Sequence, residues 1–169
     1  MSVAPAVAVV VGNPKPASRT LAAATRLATE LTGGAPDLVV DLATVGPGLL
    51  TWGAHEVTRL VDDVGRADVV VFACPTYKAT YTGLLKLFLD QFEATARKAV
   101  AVPFMLGAGP THQLAPELTL RPVLAELGFT TVRGLYVLDN TYEDPAVFRD
   151  WLAQVRPVVD ALVPTGVPA

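Results

Sequence analysis

The chain has 169 residues and a formal net charge of −3, and because it carries no basic run, nucleic-acid binding has little support. Its single cysteine, Cys74, excludes an internal disulfide framework, and one cysteine with two distant histidines gives no support for a metal site. A hydrophobic content of 51% and a mean hydropathy of +0.43 are high for a monomer and predict surface buried against further copies. No apolar run is long enough to span a membrane, so a cytoplasmic location is expected.

Strand and helix signals alternate along the chain. The first segment, Val3 to Val11, is valine-rich and wholly apolar, as a strand buried on both faces must be. It is short, lacks a basic flank and meets a Gly-Asn-Pro turn, so we interpret it as a strand and not a signal peptide. Four further strands are predicted at residues 38–42, 68–73, 99–106 and 131–138. Helices are predicted at residues 18–32, 54–66, 83–96, 112–127 and 144–163, the last interrupted near Pro157, with a Gly/Pro loop at 43–53.

Buried strands joined by crossover helices predict a parallel sheet covered on both faces. Right-handed crossovers leave few topologies, and the flavodoxin-like order 2-1-3-4-5 fits this length best. We therefore predict a single α/β domain over residues 1–169, a flavodoxin-like three-layer sandwich with a five-stranded parallel sheet and a frayed tail after Val163. Ligands of such sheets bind at the carboxyl ends of the strands, beside the switch point between strands 1 and 3.

The loop after the first strand, GNPKPASRT at residues 12–20, has the features of a phosphate site. Ser18, Arg19 and Thr20 open a helix, whose free N–H groups and dipole favour an anion. The two hydroxyls add donors, and Arg19 or Lys15 adds positive charge. The spacing is neither that of a Walker loop nor that of a dinucleotide fingerprint. An ordinary helix cap with two surface cations is the alternative interpretation.

The loops after the third and fourth strands suggest a flat ligand. Thr76 and Tyr77 follow Pro75 and are placed to offer a backbone N–H and a ring to a planar heterocycle, with Lys78 as a charge over it. Gly107 and Gly109, in GAGPTH at residues 107–112, leave the backbone open to close approach. The alternatives are tyrosines that shield the core and a plain turn. Three such loops at one edge predict a planar ligand that carries a phosphate.

The segments GNPKPASRT and CPTYKATYTGLLKLFLD (residues 74–90) resemble the NADPH-dependent FMN reductase family, in particular its SsuE-like flavin reductase branch. The resemblance continues through GAGPTHQLAPELTLRPVLAELG at residues 107–128. It implies an NAD(P)H-dependent flavin reductase that uses FMN and NAD(P)H and supplies reduced flavin to a monooxygenase. It also implies a homodimer or homotetramer. Hydride passes from the nicotinamide to the flavin in such enzymes, so no catalytic acid or base is expected.

The resemblance also assigns positions. It places the FMN phosphate on Ser18, Arg19 and Thr20, the ring system along residues 75–78, and residues 107–111 near its other side. The full predicted cofactor-binding set is Asn13, Lys15, Ser18, Arg19, Thr20, Pro75, Thr76, Tyr77, Lys78, Tyr81, Gly107, Ala108, Gly109 and Thr111. Asn13, Thr76 and Leu118 depart from the residues usual in the family at those positions.

Other functions remain open at this point. The same fold and flavin site serve reductases of quinones, azo dyes or other acceptors, whose specificity is set by loops such as residues 43–53 and 139–143. A flavodoxin-like binding module without its own substrate is a further alternative, but flavodoxins are markedly acidic and use a different phosphate loop. Cys74 ends a buried strand and is interpreted as a small buried hydrophobe. Trp52 is consistent with covering either a ligand or a neighbouring subunit.

The segment 83–96 predicts self-association. At 100° per residue its apolar side chains cover an arc of about 200°, whereas a helix lying on one sheet needs about 100°. The apolar residues are Leu84, Leu85, Leu87, Phe88, Leu89, Phe92 and Ala96. A second copy related by a two-fold axis is the simplest cover for the surplus and would set Tyr81 beside the partner. Cover by the C-terminal helix is the alternative.

Overall fold

Valine-rich segments form the centre of a parallel sheet. The computed structural model describes residues 5–95 and 97–163. Its strands are β1 (Val7–Val11), β2 (Leu38–Asp41), β3 (Val69–Pro75), β4 (Val100–Gly107), β5 (Thr130–Thr131) and β6 (Leu135–Leu138). They lie in the order β2-β1-β3-β4-β5, with β6 also paired to β4, and every pairing is parallel. The predicted order 2-1-3-4-5 is confirmed, with one additional strand.

Helices cover both faces of this sheet. They are α1 (Arg19–Thr32), α2 (Leu42–Val45), α3 (His55–Gly65), α4 (Gly83–Leu89), α5 (Arg121–Glu126) and α6 (Ala146–Leu162). Two 3-10 turns, Gly46–Leu50 and Pro110–His112, and one π-helical turn, Pro116–Leu120, complete the set in the described residues. No helix among residues 5–95 and 97–163 combines the length and apolar character needed to cross a membrane.

Alternate side chains of the central strands point into two separate cores. Val7, Val9 and Val11 of β1 pack with α1 and α6, whereas Ala8 and Val10 pack with α3, α4 and α5. This alternation follows from the two-residue period of a strand. Because both faces are covered, β1 is apolar throughout and entirely buried. The two cores hold the carboxyl ends of β1, β3 and β4 at one edge of the sheet.

Several predicted boundaries are wrong. The helix predicted at 83–96 ends at Leu89, because the chain turns there and Phe92 packs edge-on against Phe72, Phe88 and Phe129. Leu85, Phe88 and Leu89 are also fully buried in the chain's own core, so the apolar surplus is smaller than predicted. Ala96 lies outside the described residues.

The segment predicted as one helix at 112–127 is also divided. It contains a π-helical turn and the short α5, each with a proline in its first turn. Proline has no N–H to donate, so it suits the first turn of a helix and not its interior.

The last predicted strand, residues 131–138, is two short strands. Between β5 and β6 the chain leaves the ladder, and Gly134 donates its N–H to Glu117 Oε2 at 2.7 Å. The loop predicted at 43–53 contains α2 and a 3-10 turn, and Pro157 does not interrupt α6, which is continuous. The first strand begins at Val7; residues 1–4, with the predicted start at Val3, and the tail after Val163 lie outside the described residues.

Candidate functional site

Three loops meet at the carboxyl ends of β1, β3 and β4 and enclose a cleft of about 380 Å³, which we call the carboxyl-edge cleft. Its position beside the switch point between β1 and β3 is the one predicted. Its volume lies within the range of small-molecule sites. The lining residues are Asn13, Lys15, Ala17, Ser18, Arg19, Thr20, Pro75, Thr76, Tyr77, Leu106, Gly107, Ala108 and Asp139. Most of the predicted cofactor-binding set is therefore brought together in one place.

Gly12 fixes where the chain leaves β1. Its N–H donates to the carbonyl oxygen of Ala73 at 2.8 Å, and its own carbonyl accepts from the buried Thr82 hydroxyl at 2.5 Å. A Cβ at residue 12 would lie 2.5 Å from Leu85 Cβ and 2.9 Å from Leu85 Cα. Only glycine allows this approach, which lets the chain at the end of β1 pack directly against the first turn of α4. The same Thr82 side chain caps α4 by accepting from the N–H of Leu85.

Side chains shape the loop that follows. Asn13 Oδ1 accepts from the N–H of Lys15 at 2.9 Å, and Asn13 Nδ2 donates to Thr20 Oγ1 at 3.1 Å. Ala17 adopts a left-handed backbone conformation with φ of 49°, and its N–H donates to Asp41 Oδ2 at 2.9 Å. Asn13 thus lines the cleft and also braces the loop, a role that the sequence reasoning did not foresee.

The start of α1 supplies donors suited to an anion. Ser18 is the N-cap, and its hydroxyl accepts from the N–H of Leu21 at 3.2 Å. The N–H groups of a first helical turn have no intrahelical acceptor, and the helix dipole places partial positive charge there. Thr20 is buried, while Lys15 and Arg19 are exposed. Hydroxyls, the first turn of a helix and two cations therefore line the same cleft.

Asp139 was missed by the sequence reasoning. It follows β6, and its N–H donates to the carbonyl oxygen of Gly107 at 2.9 Å. Its carboxylate lies 3.1 Å from the guanidinium of Arg19, and its main-chain oxygen accepts from Arg19 Nη1 at 3.3 Å. The sequence marked it only as the first residue of the loop at 139–143, directly after the last predicted strand.

The loop after β3 divides the predicted residues into two groups. The N–H of Thr76 donates to the carbonyl oxygen of Leu106 at 2.7 Å, which keeps Thr76 and Tyr77 at the cleft. Lys78 and Ala79 adopt left-handed conformations, with φ of 52° and 65°, at the tip of a tight turn closed between Tyr77 and Thr80. Lys78 is exposed and does not line the cleft.

Tyr81 does not line the carboxyl-edge cleft either. It is partly buried against the core on the α3–α5 side of the sheet. This placement agrees with the alternative considered for the tyrosines, which was that they shield the core.

The absence of a side chain at Gly107 leaves room for a tyrosine of the protein itself. A Cβ at residue 107 would lie 1.8 Å from the Tyr136 hydroxyl oxygen. That hydroxyl donates to the carbonyl oxygen of Gly109 at 2.5 Å, so Tyr136 holds the loop after β4 from beneath. Burial raises the pKa of the Tyr136 hydroxyl above its ordinary value. Gly109 and the exposed Thr111 do not line the cleft.

Cys74 is a core residue at the end of β3. It is fully buried, and burial raises the pKa of its thiol to about 12, with a hydrogen bond from the Thr82 backbone acting against the shift. The thiol is neutral at physiological pH and is not a nucleophile there.

A cleft at the switch point of a doubly wound parallel sheet, lined by a helix start and by the loops after β3 and β4, defines an α/β protein of the flavodoxin-like class. The chain belongs to the NADPH-dependent FMN reductase family, whose model matches residues 5–144. The family predicted from the sequence is thereby confirmed.

Individual relatives agree with this assignment. An FMN reductase (NADPH) of Pseudomonas putida is 33% identical over 46% of this chain and 40% of its own length. An FMN reductase (NADPH) of Pseudomonas aeruginosa is 28% identical over 94% of this chain and 90% of its own. A solved apo structure of an NADH:FMN oxidoreductase superposes with a TM-score of 0.80 at 26% identity, covering 98% of this chain and 91% of that one. The alignment with the Pseudomonas putida protein thus spans less than half of that relative.

Proposed function

We propose that this protein is an NAD(P)H-dependent flavin reductase that reduces FMN with NADH or NADPH. The observation that carries the proposal is the start of α1 facing the carboxyl-edge cleft, with Ser18, Thr20, Lys15 and Arg19 around it. Membership of the FMN reductase family supports it. The two Pseudomonas relatives are named FMN reductase (NADPH), and we propose the same substrates for this chain.

The residues of the cleft fit FMN. Free N–H groups at the helix start and the hydroxyls of Ser18 and Thr20 suit the oxygens of a phosphate, and Lys15 and Arg19 supply opposite charge. Thr76 and Tyr77 line the same cleft, and we place the ring system against them. Bound FMN would supply the redox chemistry by accepting a hydride from the nicotinamide. The protein's work is to bind and orient, which explains why no catalytic acid or base is needed.

A direct assay tests this function. Purified protein should oxidise NADH or NADPH when FMN is added, and a chelator should leave the rate unchanged because no metal takes part. Absorbance of the purified protein would show whether FMN stays bound. Oxidation of neither nicotinamide with excess FMN would contradict the enzyme assignment and favour a binding module.

We further propose that free reduced flavin is the product and that a flavin-dependent monooxygenase receives it. The family's function supports this choice over a quinone or azo-dye acceptor. Steady-state rates with FMN and with a quinone as acceptor, at equal NADH, distinguish the two: a quinone rate above the FMN rate would contradict it. The cytoplasmic location expected from the sequence is part of the same proposal.

A homodimer is the proposed assembly, with a tetramer as its possible extension. An apolar groove of about 330 Å³ lies between α2, the 3-10 turn after it and α4, and its lining includes Pro14, Leu50, Leu84 and Leu87. Leu50 is 74% exposed, and Pro14 belongs to the loop after β1. A second copy seated in this groove would therefore border the carboxyl-edge cleft.

Light scattering tests this assembly. Leu50→Glu and Leu87→Glu should each give monomers, whereas Val158→Glu, an exposed apolar position on α6, should leave the assembly intact. Phe88 is unsuitable for this test because it is fully buried and a charge there would disrupt folding. A wild-type protein that is monomeric at micromolar concentration would contradict the proposal.

A further inference from the structure

A carboxylate stands in the proposed phosphate site. Asp139 lines the same cleft as Ser18 and Arg19. Its carboxylate forms an ion pair with the Arg19 guanidinium at 3.1 Å, and its main-chain oxygen accepts from Arg19 Nη1 at 3.3 Å. A fixed negative charge is unexpected at a site for a doubly negative phosphate, because like charges repel. Phosphate binding alone therefore does not explain why the Asp139 carboxylate lies beside Arg19 in this cleft.

The two partners are held differently. Asp139 follows β6, and its N–H donates to the carbonyl oxygen of Gly107, so its backbone is tied to the edge of the sheet. Its side chain is 31% exposed, whereas the long side chain of Arg19 is 62% exposed. Arg19 is thus the partner that can turn toward a ligand, and Asp139 is the stationary one.

The ion pair contributes little to the fold itself. Exposed pairs of this kind are weak, because water screens them and the side chains lose freedom. Helix α1 is already anchored by a buried face that includes Ala24, Leu27 and Leu31. A role in ligand affinity accounts for Asp139 better than a role in stability does.

We propose that Asp139 lowers the affinity of the cleft for the phosphate of FMN by competing for Arg19. This inference rests on the proposed function. The phosphate must draw Arg19 away from the carboxylate and then sit close to that remaining negative charge. The consequence is a flavin that is held loosely enough to exchange, with a smaller effect on flavins that lack the phosphate. Asp139 is a specificity-determining residue in this scheme and takes no part in hydride transfer.

Asp139→Asn tests the proposal, since the amide keeps the shape and removes the charge. Quenching of flavin fluorescence should show FMN bound about two- to fivefold more tightly, with riboflavin affinity unchanged. In the Arg19→Gln background the same substitution should change FMN affinity less, because the competition is gone. Asp63→Asn, which breaks the matched surface pair with Arg66 on α3, should change neither affinity.

Three results would overturn the proposal. Weaker FMN binding in Asp139→Asn would mean that Asp139 orients Arg19 toward the phosphate, and unchanged binding would mean that the pair is only structural. A changed ratio of KM for NADPH and NADH would assign the pair to the 2′-phosphate of NADPH. If wild-type protein bound neither FMN nor riboflavin, the proposed function would fail as well, so the two failures can be told apart.

Discussion

Two clefts of about 380 Å³ each lie at opposite edges of the sheet. The carboxyl-edge cleft lies where β1, β3 and β4 end. The second, which we call the amino-edge cleft, lies at the end of α3 and beside the segment that leads into β4. It is lined by Thr58, Val61, Asp62, Arg66, Gln91, Glu93, Thr95 and Arg97. Both clefts contain cations and hydroxyls, so composition alone does not distinguish them.

The arrangement of donors does distinguish them. In the amino-edge cleft, Arg97 donates to the carbonyl oxygens of Leu127 and Glu93, at 3.1 and 2.8 Å, and lies over the rings of Phe92 and Phe129. Helix α3 ends there, so the negative end of its dipole faces the cleft. Helix α1 begins at the other cleft and offers free N–H groups to an anion. An anion site thus depends on helix direction and unused donors more than on the number of charges.

The largest expected effect on FMN affinity comes from replacing an arginine of the carboxyl-edge cleft, with an arginine of the amino-edge cleft replaced as the control. Arg19→Gln should raise the Kd for FMN about tenfold or more, since a hydrogen bond to a charged group contributes about 1.5–3 kcal/mol. Riboflavin binding should change little. Arg66→Gln is the matched control, because Arg66 is also exposed and also paired with one aspartate. Equal losses for FMN and riboflavin would place the phosphate elsewhere.

A glycine at each edge gives the next comparison. Gly12→Ala forces a Cβ onto Leu85 and should reduce the free energy of unfolding by about 1–3 kcal/mol, as overpacking typically does. Flavin affinity should fall with it, because the loop after β1 must move. Gly34→Ala, after α1 and before β2, places its Cβ in open space and should be nearly neutral. Chemical denaturation measures both; a fully stable Gly12→Ala protein would contradict the packing argument.

The smallest expected effect concerns the hydroxyl beneath the carboxyl-edge cleft. Tyr136→Phe removes the hydrogen bond to Gly109 and should cost about 0.5–1.5 kcal/mol of stability. Because the loop after β4 loses its support, FMN and riboflavin should both bind a few fold more weakly. Tyr142→Phe removes a hydroxyl whose partner is the exposed Glu143, and it should change neither property. Unchanged flavin binding in Tyr136→Phe would show that the loop after β4 does not contribute to the flavin site.

The sheet order and the edge at which the three loops meet could both be predicted from the amino-acid sequence. Buried valine-rich runs, crossover length and handedness are properties that a sequence pattern expresses directly. The helix start at Ser18 was likewise predictable, since an N-cap is a local feature. The structure places Ser18, Arg19, Thr20, Thr76 and Tyr77, all from the predicted cofactor-binding set, along one cleft.

Features that depend on contacts between residues distant in the sequence could not be predicted in this way and are seen in the folded structure. Asp139 contacts Arg19, which lies 120 residues earlier in the chain. The Tyr136 hydroxyl of β6 occupies the space that a side chain at Gly107 of β4 would need. The early end of α4 at Leu89 follows from aromatic packing that includes Phe129, which no local periodicity records. Local patterns predict elements and the ends at which they meet, whereas the pairing of particular side chains is set by how those elements pack.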